Sequence, residues 1–400
     1  MSLRRNAIYL TGEKAVHTLG GLLSMVLVAR VLGTDALADY GFAISLTAFF
    51  IPFLDLGMNN RIIKSVAAGE DVSRAVEEVV AFKLASAPFV FVLMMIGGLL
   101  WGGAHVTGLV ALIGVSTISM SLGDTANSVF KGLHRSHLSC WIITALNGAL
   151  LLSLFTALTT GGGLGMVGWC YALSRLAYGV SAFALLRRIR PDTTISVRVG
   201  FDLRTARDGF LHLPGIYYLG NLLSLSYLVT YAVSPQDAGA YYVGYRAAAA
   251  TYILVSAGFE AVLASTVSGD SRPSGLGMWF VIYSLIALLL LYLAAPLAGS
   301  VFGSSFSESV RPIRLLASCV PTFALCGLAH TLLMAARHER FGAGIMAALL
   351  LGGFGMAIAF EALYGAEATA LAPAVSSSLA MVVLWIGLSR RIKRLAVDGA

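Results

Sequence analysis

Charge is scarce in this chain: Asp, Glu, Lys and Arg make up 12% of its 400 residues, where a soluble globular protein carries about 25%. Hydrophobic residues make up 58%, and the mean hydropathy is +0.83. Apolar stretches such as Leu276 to Phe302 and Ile345 to Ala359 recur from end to end. They leave no room for a separate soluble domain, and the membrane-embedded part is the protein. Cysteine is also sparse. Cys140, Cys170, Cys319 and Cys326 lie inside apolar segments without CxxC or Cys/His spacing, so they read as small packing residues, and neither a disulfide nor a metal site is expected. GxSxG, HExxH and Walker motifs are missing, and no loop is large enough to be a catalytic domain, so neither an enzyme nor a cofactor is expected. Gly163, Gly165 and Gly168 spell GxGxxG, but they fall between two apolar spans with no preceding strand, which excludes a dinucleotide turn. The net charge of +7 does not imply a nucleic-acid partner, because the basic residues are scattered over span ends and not gathered on one face.

What the sequence does contain is an all-α pattern of twelve spans: 7–32, 36–57, 78–101, 105–130, 138–159, 164–186, 211–232, 236–262, 276–302, 310–335, 341–361 and 366–388. The first carries Glu13, Lys14 and His17 inside its apolar run, unlike a cleavable signal, and is expected to stay attached. Alternate connections collect Arg4, Arg5, Arg61, Lys64, Arg74, Lys131, Arg135, the arginines from Arg187 to Arg207, Arg272, Arg337, Arg340 and Arg390 to Arg394 on one side. The opposite connections hold no basic residue, and only Arg311 and Arg314, just inside the tenth span, dissent. The bias of Lys and Arg toward the cytoplasm then predicts that both termini face it.

The polar stretch from Arg187 to Asp208 divides the chain into two lobes of six helices, 1–200 and 201–400. A shift of 201 positions lays Tyr40 on Tyr241, Ala38 on Gly239, Leu32 on Val233 and Gly57 on Gly258. With six spans each, the lobes are expected to be parallel repeats.

Ionisable groups within spans are costly and mark function or a structural pair. Arg246 lies deep in the eighth span among Tyr241, Tyr242, Tyr245 and Tyr252, and reads as a cavity cation or half of an ion pair. Arg175, midway along the sixth span, poses the same choice. Lys83 and Arg30 lie nearer span ends, where a long stem can reach the headgroups. Glu13, His17, Gly20 and Ser24 share one helix face; a buried carboxylate beside a histidine can exchange a proton, or the group can be a local stabilising cluster. Thr117, Ser121, Asp124 and Ser128 line one face of the fourth span, either as a wet pathway or as interhelical glue. Tyr217, Asn221, Ser224, Tyr227 and Tyr231 do the same in the seventh, where rings and hydroxyls suit stacking on sugars. Asp55, before Gly57, reads mainly as a helix-end feature.

Val28-Ala29-Arg30-Val31-Leu32-Gly33, then Tyr40-Gly41, then Phe53-Leu54-Asp55-Leu56-Gly57 resemble the N-terminal pattern of Wzx-type polysaccharide flippases of the multidrug/oligosaccharidyl-lipid/polysaccharide (MOP) exporter superfamily. The resemblance covers roughly residues 6–70. It implies two V-arranged six-helix lobes in the bacterial inner membrane, a cationic central cavity and alternating access. Its substrate is a polyprenyl-diphosphate-linked oligosaccharide, as in O-antigen synthesis, carried from the cytoplasmic to the periplasmic leaflet. Arg246, Arg175, Lys83 and Arg30 are then expected at the diphosphate, and Tyr217, Asn221 and Ser224 at the sugars. Glu13, His17 and Asp124 are expected at a coupling proton or sodium ion, with a polysaccharide polymerase as a further partner. The chain departs from the lipid II exporters in lacking their extra helix pair. Competing readings are an ion-coupled multidrug antiporter of the same superfamily, whose cavity should be richer in acids, and a membrane-embedded glycosyltransferase or polymerase, which should carry a large outer loop.

Overall fold

The computed structural model describes residues 3–191, 215–267, 276–335 and 338–398. Part of the expected polar connection, from 192 to Asp208, lies outside them, as do Arg272 and Arg337. The chain forms two compact units, Met1–Phe210 and Leu211–Ala400, and among the described residues every regular element is helical.

The N-terminal unit contains α1 (Leu3–Asp55), α2 (Met58–Ala67), α3 (Val72–Gly97), α4 (Gly103–Gly132), α5 (Ser136–Thr159) and α6 (Leu164–Ile189). The apolar segments Ile8–Asp55 and Val72–Gly132 run for 48 and 61 residues. At about 1.5 Å per residue, each is more than twice the roughly 30 Å of bilayer hydrocarbon. Both are broken at a glycine with positive φ, Gly33 (87°) and Gly103 (74°), a backbone that other residues rarely adopt, and each thus supplies two crossings. The expected connection holding Arg61 and Lys64 is instead the short amphipathic helix α2. Its Met58, Ile62 and Val66 are buried at four-residue spacing while Arg61 and Lys64 face outward. At ten residues it is too short to register as a span.

The C-terminal unit contains α7 (Gly215–Val233), α8 (Pro235–Val267), α9 (Leu276–Ala294), α10 (Val310–Ala317), α11 (Cys319–Ala335), α12 (Glu339–Tyr364) and α13 (Ala372–Asp398), with short turns at Ser304–Ser309 and Ala366–Thr369. The expected tenth span, 310–335, is divided at Ser318 between α10 and α11.

The two units pair their helices in the same order. In the first, α1 packs against α5 and α4, α3 against α4, and α6 against both α4 and α5. In the second, α7 packs against α12, α8 and α9 against α11, and the last helix, α13, against both α11 and α12. Small residues permit the closest approaches. A Cβ on Gly123 of α4 would lie 2.6 Å from the Tyr178 ring and 3.1 Å from the Cα of Gly179 on α6, the kind of contact that holds helices together where lipid removes the hydrophobic drive. Gly168 packs against Leu112 in the same interface and Gly163 is the N-cap of α6, so the GxGxxG run serves the start of the helix and its packing. Many outward-facing side chains of the spans are apolar, among them Leu100, Leu152, Val180, Leu290 and Leu351, as a lipid-facing surface requires. The molecule is a polytopic all-α membrane protein.

Candidate functional site

In the N-terminal unit the predicted polar residues meet partners inside the helix bundle. The face Glu13–His17–Gly20–Ser24 packs onto α5: Ser139 Oγ donates to Glu13 Oε2 at 2.9 Å, and a Cβ on Gly20 would lie 3.3 Å from Asn147. Glu13 Oε1 is 2.8 Å from Lys131 Nζ on α4. Glu13 is 8% exposed and the Lys131 side chain 25%, so this is a partly buried ion pair at the α1–α4–α5 junction. His17 is half-buried one turn away. Ser24 donates back to the carbonyl of Gly20.

Asp124 accepts from Tyr178 at 2.6 Å, and Asn127 bonds the same phenol. Its carboxylate lies in the field of Lys83, Lys131 and Glu13. Its stripe therefore faces α6 across the Gly123 contact, while Ser128 is spent on the Asp124 carbonyl. Arg175 is 6% exposed and donates to Asn147 Oδ1 at 3.1 Å.

Lys83, expected to snorkel, is instead enclosed at 1% exposure. Its ammonium donates to Ser121 O (2.6 Å) and Asn59 Oδ1 (2.9 Å) and lies 3.3 Å from Asp55 Oδ1. The third span was expected to begin at 78, only five residues before Lys83; the helix in fact begins at Val72 and turns position 83 inward against α4 and the end of α1. Asp55 is thereby more than a helix-end residue. It closes this pair just before Leu56 and Gly57 (φ 72°) reverse the backbone. Arg30 faces outward. Tyr40, the first member of the proposed repeat, shares a 2.6 Å hydrogen bond with Tyr171 of α6.

In the C-terminal unit the α7 stripe meets the tyrosines of α8. Tyr227 stacks on Tyr245 (centroids 5.9 Å apart, planes at 12°) and touches Tyr242 at 5.1 Å. Ser224 Oγ lies 3.0 Å from Tyr245 Oη. Asn221, Ser224, Tyr227 and Tyr231 are buried and Tyr217 is half-buried, so these rings are used on one another within the unit. Arg246, the next residue after the stacked Tyr245, is half-buried with its Nε enclosed. The close packing of α8 against α10 at Gly244 holds this stretch in place, since a Cβ there would meet the backbone of Ile313 at 2.9 Å. The dissenting arginines have local partners: Arg311 pairs with Glu367, and the Arg314 guanidinium lies 4.5 Å over the Tyr292 ring.

Sequence reasoning missed Glu361. It is 3% exposed on α12; Thr369 donates to its Oε2 at 2.6 Å, and the Thr230 hydroxyl lies 3.1 Å from the same oxygen. Its only signal was an acid at the boundary of the expected eleventh span. The helix runs three residues further, to Tyr364, which carries Glu361 into the packed interior.

Comparison with known proteins places this architecture. Among solved structures the chain is similar to a multidrug resistance MATE family transporter of the MOP superfamily in an inward-facing conformation (14% identity, TM-score 0.71, 96% of each chain covered). It is also similar to an outward-facing conformation of such a transporter (14%, TM-score 0.68, 98% of this chain and 95% of that one). A third is a MOP superfamily transporter from Pyrococcus furiosus noted for the reverse polarity of its binding pocket (14%, TM-score 0.69, 98% and 95%). At such identity these likenesses show the fold alone. No protein of curated function matches in sequence. The family model described as polysaccharide biosynthesis protein matches residues 3–211, more than half of the chain. On that match, and with the fold of MOP transporters around it, the chain belongs to the polysaccharide biosynthesis protein family.

Proposed function

We propose that the protein is a lipid-linked oligosaccharide flippase, without enzymatic activity, that carries a polyprenyl-diphosphate-linked glycan from the cytoplasmic to the periplasmic leaflet by alternating access. The observation that carries this reading is the polysaccharide biosynthesis family match over residues 3–211. The chemistry agrees. A diphosphate bearing sugars cannot cross roughly 30 Å of hydrocarbon unaided, because each charge and hydroxyl would lose its water. The distribution of Lys and Arg supports an orientation with both termini in the cytoplasm, and a flippase of this kind would lie in the bacterial inner membrane.

Arg246 is the principal contact for the anionic headgroup. It lies within the expected eighth span, half-buried with its Nε enclosed, and a guanidinium grips phosphate oxygens in two-pronged fashion. Arg30 is a second, outward-facing candidate. Lys83 and Arg175, enclosed by partners, act through the frame that holds the helices. The proton or sodium ion that drives export acts on buried acids. A multidrug antiporter, the rival within the superfamily, needs acids and not arginines at its deepest positions to attract cationic drugs.

The test is deletion of the gene in its own host, complemented by the wild type or by Arg246→Ala, with surface polysaccharide, lipid-linked glycan and membrane-inserted protein measured together. Loss of surface polysaccharide with accumulation of lipid-linked glycan, rescued by the wild type and not by well-inserted Arg246→Ala, is the expected result. Unchanged surface glycans in the deletion strain refute the flippase reading.

A further inference from the structure

Arg311 and Arg314, the two basic residues that depart from the cytoplasmic bias, line one cleft of about 830 Å³ in the C-terminal unit. Sites for small ligands span roughly 300–1,000 Å³. The walls of this cleft come from the connections α7–α8, α9–α10 and α12–α13, the three that the distribution of Lys and Arg assigns to the periplasmic side. Asp237 and Tyr241 lie at the start of α8, Glu308 stands in the turn before α10, and Tyr364 and Glu367 flank Gly365.

The fold holds these walls in place. Phe306 is wholly buried and anchors the Ser304–Ser309 turn, which leaves Glu308 exposed. Gly365 reverses the chain at φ 78°, a backbone that favours glycine, and so sets Tyr364 and Glu367 on either side of the bend. The close contact at Gly244 fixes α8 against α10. A site framed this way is formed before any ligand arrives.

The lining sets donors beside acceptors. Glu367 is engaged by Arg311, whereas Asp237 and Glu308 are exposed and, among the described residues, make no ion pair or side-chain hydrogen bond. An ionised carboxylate only accepts. Arg314 rests its guanidinium face on the Tyr292 ring and points Nε at the Tyr292 carbonyl, which leaves its terminal N–H groups to donate. Tyr364 is 72% exposed and offers an aromatic face with a polar tip. Three carboxylates against two guanidiniums keep the lining near neutrality. An anion would meet the acids, a cation the arginines, and an apolar ligand would strip water from both. A sugar answers each feature, since every hydroxyl both donates and accepts and its C–H face stacks on a ring.

We infer that this cleft is a periplasmic subsite for the sugar portion of the exported glycan. Tyr364 is its stacking platform, Asp237 and Glu308 accept from sugar hydroxyls, and Arg314 donates to them. The subsite rests on the flippase reading, which brings a glycan to this leaflet, and adds to it a receiving site that does not include Arg246.

The experiment is equilibrium binding of fluorescently tagged oligosaccharide, freed by mild acid from the lipid-linked glycans of the host, to the purified full-length protein in detergent. Thermal unfolding of each variant checks its fold; Glu308 and Tyr364 are exposed, so their replacement should leave it unchanged. Wild type should bind saturably, and neither inorganic diphosphate nor tetraphenylphosphonium should displace the sugar. Glu308→Ala and Tyr364→Ala should each weaken binding about tenfold, as loss of one hydrogen bond to a charged group or of one stacked ring does. Tyr364→Phe should keep most of the affinity, because the ring remains. Absence of saturable binding, displacement by diphosphate or by tetraphenylphosphonium, or equal affinity in wild type, Glu308→Ala and Tyr364→Ala overturns the proposal. Loss of surface polysaccharide in the deletion strain together with wild-type binding by both alanine variants removes the cleft and leaves the flippase reading standing. Unchanged surface glycans in that strain remove the flippase reading, and the subsite with it, whatever the isotherms show.

Discussion

Lys83 separates two roles that a membrane arginine or lysine can play, and its replacement by methionine measures which one it has. In the structure the Lys83 and Asp55 side chains are 2% and 5% exposed, with nitrogen and oxygen 3.3 Å apart. Methionine keeps the stem volume but strips Asp55 of its cation and leaves Ser121 O and Asn59 Oδ1 without their donor. Breaking a buried pair by removing one member costs about 3–5 kcal/mol, because the abandoned charge stays in a medium that solvates it poorly. The ion pair of Arg61 with Glu78, whose side chains are 50% and 39% exposed, is worth about 0–1 kcal/mol by the same logic and serves as the control. Equilibrium unfolding in mixed micelles, compared for Lys83→Met, Asp55→Asn, the double variant and Arg61→Met, should show a large loss in each buried single variant. The double variant should fall short of additivity by about 0.5–3 kcal/mol, the range for residues in contact. Lys83→Met as stable as wild type, with export abolished, would refute the reasoning and return Lys83 to the substrate pathway.

Other outcomes follow from the same contacts. Gly123→Val should destabilise by about 1–3 kcal/mol through overpacking against Tyr178, read as a lower melting temperature; a neutral effect would mean that α4 and α6 separate freely there. Arg246→Lys should export measurably less than wild type and more than Arg246→Ala at equal membrane levels, since charge survives while two-pronged hydrogen bonding does not; equal export by all three removes Arg246 from the headgroup. Glu13→Gln should lower the yield of folded protein, with partial recovery in Glu13→Gln/Lys131→Met, because the half-buried Lys131 otherwise loses its ion pair; a stable Glu13→Gln that loses only gradient-driven flux in vesicles would assign Glu13 to coupling instead. Cysteines placed at Thr160 and Ser234 should react with impermeant thiol reagents in intact cells and one at Thr193 should not; labelling at Thr193 would reverse the proposed orientation.

The spans were legible because long apolar runs have few other uses, and Gly57 marked the end of one of them. The amphipathic α2 was not, since ten residues with Met58, Ile62 and Val66 on one side carry too little hydropathy to stand out from a loop. Pairings were the least legible. Glu13 meets Lys131 and Ser139 at separations of 118 and 126 residues, and Thr230 meets Glu361 at 131; periodicity shows that a face is polar without showing what it will face. For the same reason the α7 stripe looked available for sugars when its rings in fact pack on those of α8. Arg246 was singled out by its position within an apolar span, which a sequence does encode, whereas Glu361 was hidden by a boundary drawn three residues short.

In the first unit ion pairs join Glu13 to Lys131 and Asp55 to Lys83, and Tyr178 donates a hydrogen bond to Asp124; all of these residues precede Ile189. Each of these partners has therefore been synthesised before α7 leaves the ribosome. The first half can insert, pair its acids and bases and become protease-resistant while the second is still being translated. A truncated chain ending in the connection after Pro191 should accordingly accumulate in the membrane as a folded body.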